Sequence, residues 1–432
     1  MARFAVLAAL YALAFLTVSS DGTAVSPEGT DLSELTTLNS ILSNNVNLPG
    51  LMSVSSNKLH PHTNLTITQI IELYGYKSET HEVATDDGYV LQVHRIPGKQ
   101  TNSRSEGKPV VFLMHGIISS SMQYVIAGPE IGLGFILSDA GYDVWMGNAR
   151  GNVYSRKHKT LEPQQSKFWD FSWHEIGAVD VRNMIDYALE KSMQKKLYYI
   201  GHSQGSTTFF VMLSEHPEYN DKINAMFSLA PVAYSSHMFS PFFQLLARMQ
   251  NVIGFVTKFI GANEFLPTNE FTKEMSGIIC SDESLLQPVC SNALFILAGF
   301  DRDQLDTSLL TAFLANFPAG SSVKQFRHYA QLITSGKFRK YDYGWWKNLQ
   351  EYRSFYPPSY KLDNVKVPVA LHYSVNDWVS SVKDVDRLSK DLPNLIGRFR
   401  VPNDGFNHLD FVWAKDVKTL LYDKVLNLMK RY

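Results

Sequence analysis

The pentapeptide Gly201-His202-Ser203-Gln204-Gly205 constrains this chain more than any other feature. It follows the apolar run Leu197 to Ile200, which reads as a strand, and precedes a helix-like run that begins at Ser206. A strand-to-helix turn this tight leaves no room for side chains at its two glycine positions, because they would meet neighbouring backbone. It also lifts the serine hydroxyl above the edge of the sheet. A bare G-x-S-x-G occurs often by chance, so its weight depends on whether the rest of the chain supplies a sheet to carry it.

The flanking sequence does. His81 to Ala84 and Tyr89 to Val93 straddle Asp87-Gly88 and predict a β-hairpin. Val110 to Met114 and Tyr142 to Met146 are short apolar runs separated by enough chain for a helix, the spacing of a βαβ unit and hence of a parallel sheet. Ser172 and Glu175 form a capping box ahead of Val181, Met184, Ile185, Ala188 and Leu189 at helical spacing. The run 225–230 predicts the strand after the elbow. Beyond Pro231 the rhythm stops for about 130 residues, and this apolar, strand-poor stretch reads as a mostly helical insertion. Strand patterns return at 367–371 and 397–401, and a helix through Leu420, Leu421, Val425 and Leu428 closes the chain. No internal repeat is present.

The N-terminus carries Arg3, an apolar stretch from Phe4 to Val18, and then Ser19 and Ser20, which is the layout of a secretory signal over residues 1–20. The competing reading is a membrane anchor, but the run is shorter than the roughly 20 apolar residues a span requires. Residues 21–57, rich in Ser, Thr and Asn, read as a flexible leader or propeptide. A secretory route makes Asn64-Leu65-Thr66, the one N-x-[ST] sequon, a glycosylation site. It also makes the only two cysteines, Cys280 and Cys290, a disulfide closing a short loop, with two buried thiols as the alternative. With 40 Lys plus Arg against 41 Asp plus Glu there is no electrostatic footprint for nucleic acid or for an anionic membrane. Contact with lipid must then be made by apolar groups.

A serine hydroxyl needs a base to remove its proton, and on this architecture an acid and then a histidine follow the elbow in the chain. His408 lies between a strand and the terminal helix and is the leading base; His372 falls inside a strand and His328 inside the insertion. Asp377 is the first carboxylate after the strand at 367–373, with Asp384 and Asp386 close behind as rivals. The developing oxyanion needs aligned N–H donors. The backbone of Gln204 supplies one, and the loop His115-Gly116-Ile117 supplies the other, with Ile117 as the donor. Nucleophile, base and donors all come from the chain, and no His, Cys or carboxylate cluster has ligand spacing, so neither metal nor organic cofactor is expected.

In these segments the chain resembles the acid lipase family of the α/β-hydrolase superfamily, which includes gastric lipase and lysosomal acid lipase. The resemblance is carried by Asp86-Asp87-Gly88-Tyr89-Val90-Leu91, Phe112-Leu113-Met114-His115-Gly116 and Asp143-Val144-Trp145-Met146-Gly147-Asn148-Ala149-Arg150-Gly151-Asn152. It continues through Tyr154-Ser155-Arg156, Phe168-Trp169, the elbow, Pro318-Ala319-Gly320-Ser321-Ser322-Val323, Ser335-Gly336-Lys337-Phe338 and Asn407-His408-Leu409-Asp410-Phe411, from about His60 to the C-terminus. It implies an α/β-hydrolase core over 58–231 and 362–432, with a mostly parallel sheet flanked by helices, and a helical cap and lid inserted over 232–361. It implies Ser203 as nucleophile, Asp377 as acid, His408 as base, Ile117 and Gln204 as oxyanion donors, and neutral lipid esters as substrates at a lipid–water interface. Trp378 departs from the aliphatic residue some members carry after the acid.

The resulting expectation is a secreted serine lipase acting on triacylglycerol or sterol ester, with a lysosomal destination as the alternative. An esterase of soluble short-chain esters and an inactive lipid-binding relative are the competing functions. The stretch Met238 to Ile260, with only Arg248 and Lys258 as charges, favours the lipase and reads as a lid, with a plain cap core as the alternative.

Overall fold

A computed structural model describes residues 60–101, 106–249, 263–265, 294–295 and 297–432. The expected signal, the leader and the Cys280–Cys290 disulfide lie outside the described residues, as does the lid stretch from residue 250 to 260.

Eight strands form the body of a mixed sheet: β1 (Glu79–Ala84), β2 (Tyr89–Ile96), β3 (Val110–Met114), β4 (Asp143–Met146), β5 (Leu197–His202), β6 (Ile223–Leu229), β7 (Val369–Tyr373) and β8 (Leu395–Arg400). Their spatial order is β1-β2-β4-β3-β5-β6-β7-β8, and a ninth, two-residue strand, Lys157–His158, pairs with β2. The hairpin β1–β2 and the pair β2–β4 are antiparallel; every junction from β4 to β8 is parallel. β3 and β4 are buried at every position and β5 at all but one, which is what a sheet covered on both faces requires of its central strands. Between β6 and β7 the described residues are helical over 241–249, Leu310–Asn316, Val323–Ser335 and Trp345–Tyr352, with one two-residue strand pair, Glu264–Phe265 against Ser321–Ser322. Among the described residues no helix is long and apolar enough to cross a membrane.

The hairpin turn is fixed from a distance. Gly88 takes the left-handed conformation at φ +101°, and Asp87 beside it accepts from both terminal nitrogens of Arg150, at 2.6 and 3.0 Å. Arg150 also donates to Asp180 and lies 4.0 Å from the Tyr89 ring centroid. Its guanidinium is buried, a position sustained only because two carboxylates and a ring face it.

The helix expected after Ser172 differs in detail. The capping box forms, but the chain runs from one α turn, Trp173–Glu175, through a π turn, Ile176–Val181, into the α-helix Arg182–Ser192. The widened turn lies where Gly177 meets the helix that follows the elbow. A Cβ there would stand 2.6 Å from the Thr208 carbonyl oxygen, so the two backbones approach more closely than side chains allow.

Candidate functional site

Ser203 occupies a single-residue corner between β5 and the helix Gln204–Glu215. Its backbone is held at φ 53°, ψ −117°, a conformation that costs about 1 to 3 kcal/mol for a residue with a side chain. Packing on both sides enforces it: a Cβ on Gly205 would lie 2.0 Å from the Met114 carbonyl oxygen, and one on Gly201 would lie 2.6 Å from the Gly205 backbone. Both glycines are thus required sterically, as the sequence implied. The Ser203 N–H donates to the Leu229 carbonyl at 2.9 Å, tying the corner to the end of β6.

The three residues expected to act together meet here. His408 Nε2 stands 2.8 Å from Ser203 Oγ, and His408 Nδ1 lies 2.9 and 2.8 Å from the two carboxylate oxygens of Asp377. All three are nearly closed off from solvent. Asp377 Oδ1 also accepts the N–H groups of Val379 and Ser380, at 2.8 and 2.7 Å, which locks the carboxylate plane. Asp384 and Asp386 point elsewhere. Asp384 accepts from His237 N–H at 2.8 Å and from the Ser381 hydroxyl at 3.0 Å, anchoring the start of the cap to the helix Val382–Asp391; Asp386 pairs with Arg398.

Two further histidines are held neutral. Burial lowers His202 to about 3 and His115 to about 4, so neither carries charge near neutrality. Each has a positioning contact instead. His202 Nε2 sits 3.0 Å from the His408 carbonyl oxygen and so donates its proton there. His115 Nε2 accepts the Ala149 N–H at 3.1 Å, which leaves the proton on Nδ1 to bond the Gly116 carbonyl at 2.7 Å. In a trans peptide the carbonyl of Gly116 and the N–H of Ile117 point opposite ways, so fixing one aims the other. The loop lies against the corner: a Cβ on Gly116 would be 3.3 Å from Ser203 Cβ.

Nothing local in the sequence marks this support. Asn152 Nδ2 donates to Asn148 Oδ1 at 2.9 Å, Asn148 Oδ1 accepts the Ser121 N–H at 2.9 Å, and Asn152 reaches His115 Nε2 at 3.2 Å. The available signal is composition: three polar residues, Asn148, Arg150 and Asn152, directly after a fully buried strand must find buried partners. The Gln204 side chain donates to Gln325 at 2.8 Å, and Gln325 donates to Ser321 at 2.7 Å, joining the elbow to the inserted segment.

A cavity opens over Ser203 and His408. Apart from Ser119, Gln123 and His202 its walls are apolar, built by Ile117, Ile118, Phe243, Leu297, Phe317, Val379, Leu409, Val412 and Trp413. Phe243 is buried and packs with Phe242, Phe326 and Tyr329, so it belongs to the core of the insertion, whereas Phe239 is 65% exposed. Asn64 is exposed at the end of a short 3₁₀ turn, Pro61–Asn64.

A family model described as a partial alpha/beta-hydrolase lipase region matches residues 67–128, and one described as the alpha/beta hydrolase fold matches residues 109–414. Lipase 3 of Drosophila melanogaster is 46% identical over 84% of this chain and 92% of its own length. The human lysosomal acid lipase/cholesteryl ester hydrolase is 39% identical over 86% of this chain and 92% of its own length, and human gastric triacylglycerol lipase is 39% identical over 86% and 93%. A crystal structure from Sulfolobus solfataricus superposes with a TM-score of 0.54 at 14% identity, covering 83% of this chain and 95% of that one, a likeness of fold alone.

Proposed function

The chain belongs to the acid lipase family of α/β-hydrolases and is a carboxylic ester hydrolase, and from that premise we propose that it cleaves neutral lipid esters through an acyl-enzyme formed on Ser203. The observation that carries this reading is the Ser203–His408–Asp377 chain of contacts at 2.8 to 2.9 Å under an apolar cavity. Ser203 Oγ bonds to the ester carbonyl carbon as its proton passes to His408 Nε2. Asp377 stabilises the imidazolium, and the N–H groups of Ile117 and Gln204 receive the oxyanion. Collapse breaks the C–O bond to the alcohol, which leaves with the proton from His408. Water then attacks the acyl-enzyme by the same route and frees the acid. No step requires a metal or an organic cofactor.

The cavity's apolar walls support a lipid acyl group over a small polar one. Exposed Phe239 and the exposed aromatic residues Trp345, Trp346, Phe355 and Tyr356 support contact with a lipid–water interface, where such rings are favourably placed. The apolar opening of residues 4–18 supports secretion, and exposed Asn64 supports glycosylation. Rates on an emulsified triacylglycerol, a cholesteryl ester and a soluble short-chain ester test the reading. Turnover confined to the soluble ester would replace lipase by esterase, and none on any of the three would favour a binding protein.

The contribution of the insertion is separable with two variants. Phe243→Ser removes a buried ring, which costs about 3 to 5 kcal/mol, so thermal stability and activity on soluble and emulsified esters are expected to fall together. Phe239→Ser removes an exposed ring; the melting temperature and soluble-ester activity should hold while activity on emulsions drops severalfold. Melting curves and paired assays check both, and equal emulsion and soluble losses in Phe239→Ser would rule out an interfacial role for that residue.

A further inference from the structure

We propose that Asp301 and Asp410 share one proton, and that this carboxyl pair is a positioning element that keeps the His408 loop in its working geometry only while the proton is bound. The proposal rests on His408 being the catalytic base.

Asp410 begins the short helix Asp410–Trp413, two residues beyond His408. Its Oδ2 accepts the Asn407 N–H at 2.6 Å, while Asn407 Oδ1 accepts the N–H groups of Leu409 and Asp410 at 2.8 and 3.1 Å. This reciprocal clasp encloses the backbone of His408. Asp301 Oδ1 accepts the N–H groups of Asp303 and Gln304, both at 3.2 Å, but its Oδ2 is buried with no nitrogen or hydroxyl donor among the described residues. The side chains of Asp301 and Asp410 lie within hydrogen-bonding reach of each other. The two residues are 7% and 5% exposed.

Two carboxylates in contact away from water repel each other, and neither has a proton to give. One carboxylic acid against one carboxylate removes the repulsion and satisfies the orphaned oxygen. The charged neighbours reinforce this. Asp377 raises Asp410 further, Asp303 raises Asp301, Arg302 lies in the same turn as Asp301, and His408 is the titratable group on the loop itself. Burial, Asp301 and Asp377 together push Asp410 up to about 9, and burial raises Asp301. A carboxyl whose folded-state value is raised stabilises the fold fully below its unfolded value, near 4, and loses that contribution as pH rises through the raised value.

The pair is coupled to the site through the turn that carries Asp301. The Ala298 carbonyl accepts both the His408 N–H at 3.2 Å and the Trp378 N–H at 3.3 Å. Asn376 Nδ2 donates to the carbonyls of Phe300 and Gly405 at 2.8 and 2.6 Å. Separation of Asp301 from Asp410 therefore pulls on the loops of both the base and its acid.

The test uses the full chain with Asp410→Asn, Asp301→Asn and the double variant, measuring kcat and KM on a soluble short-chain ester and melting temperature from pH 5 to 10. In the wild type, kcat should fall about tenfold per pH unit beyond the pair's ionisation, with melting temperature falling alongside. Either single amide places a permanent N–H donor between the two side chains while its carbonyl keeps the backbone contacts. Both limbs should flatten, with wild-type kcat retained at pH 6. The double variant sets two amide NH2 groups against each other and should lose stability and kcat at every pH. Single variants with an unchanged alkaline limb, a double variant as sound as the singles, or a wild-type melting temperature flat from pH 5 to 10 would each overturn the proposal. The melting curves need no turnover, so a failure of the catalytic reading is distinguishable from a failure of the pair.

Discussion

Ser203→Ala is expected to lower kcat by about a millionfold in a protein that still folds, and His408→Ala to do nearly the same, with the double variant scarcely worse than either single one. The non-additivity follows from the proposed chemistry. A hydroxyl without a base attacks slowly, a base without a hydroxyl has nothing to activate, and only the 2.8 Å contact between them lets one proton leave as the new bond forms. Among the described residues no neighbour is placed to substitute. His202 donates its Nε2 proton to the His408 carbonyl, and burial lowers its basicity to about 3, so it is a poor replacement base. Stability should change little in Ser203→Ala, because the corner at φ 53° is enforced by Gly201, Gly205 and the bond to Leu229 and not by the hydroxyl. Near-normal turnover by purified, folded Ser203→Ala would end the acyl-enzyme reading.

The features legible in the sequence are those whose requirements are local. The elbow needs Gly201 because a Cβ there would meet the Gly205 backbone of the same turn, whereas Gly205 is required by the Met114 carbonyl of the neighbouring strand; the hairpin needs Gly88 because only a residue without a side chain adopts φ +101° freely. Strand existence was readable for the same reason, since runs such as Val110–Met114 have no polar position to expose. Features set by distant partners were not. The π turn at Ile176–Val181 has the same helical periodicity as its neighbours and coincides with the close approach of the Thr208 carbonyl to Gly177. The tautomer of His115 depends on Ala149, 34 residues away, and the burial of Phe243 against the exposure of Phe239 depends on Phe326 and Tyr329. The choice among three carboxylates was open for a related reason. Asp377, Asp384 and Asp386 all follow β7 within one short stretch, and what separates them is which backbone N–H groups and which histidine each one faces.

That separation gives the second large effect. Asp377→Asn is expected to reduce kcat by about ten-thousandfold, with substrate affinity little changed. Asp377 Oδ1 accepts two backbone N–H groups, so the amide carbonyl of the variant would take that place and turn its NH2 toward His408 Nδ1. Two donors cannot share a 2.8 to 2.9 Å contact. The ring relieves the conflict by moving its proton to Nε2, which then donates to Ser203 Oγ and can no longer receive from it. The nucleophile keeps its position and loses its base. Asp384→Asn meets no such conflict at His408, because its partners are Ser236, His237 and Ser381 at the junction of insertion and core. It should cost about 1 to 3 kcal/mol of stability, read as a lowered melting temperature, and leave kcat within about threefold. Asp386→Asn breaks a partly exposed pair with Arg398 and should change either quantity by less still. Measured kcat and melting temperature for the three variants decide the matter: a catalytic collapse in Asp384→Asn with activity preserved in Asp377→Asn would transfer the acid's role to Asp384 and remove the basis for assigning His408 its tautomer.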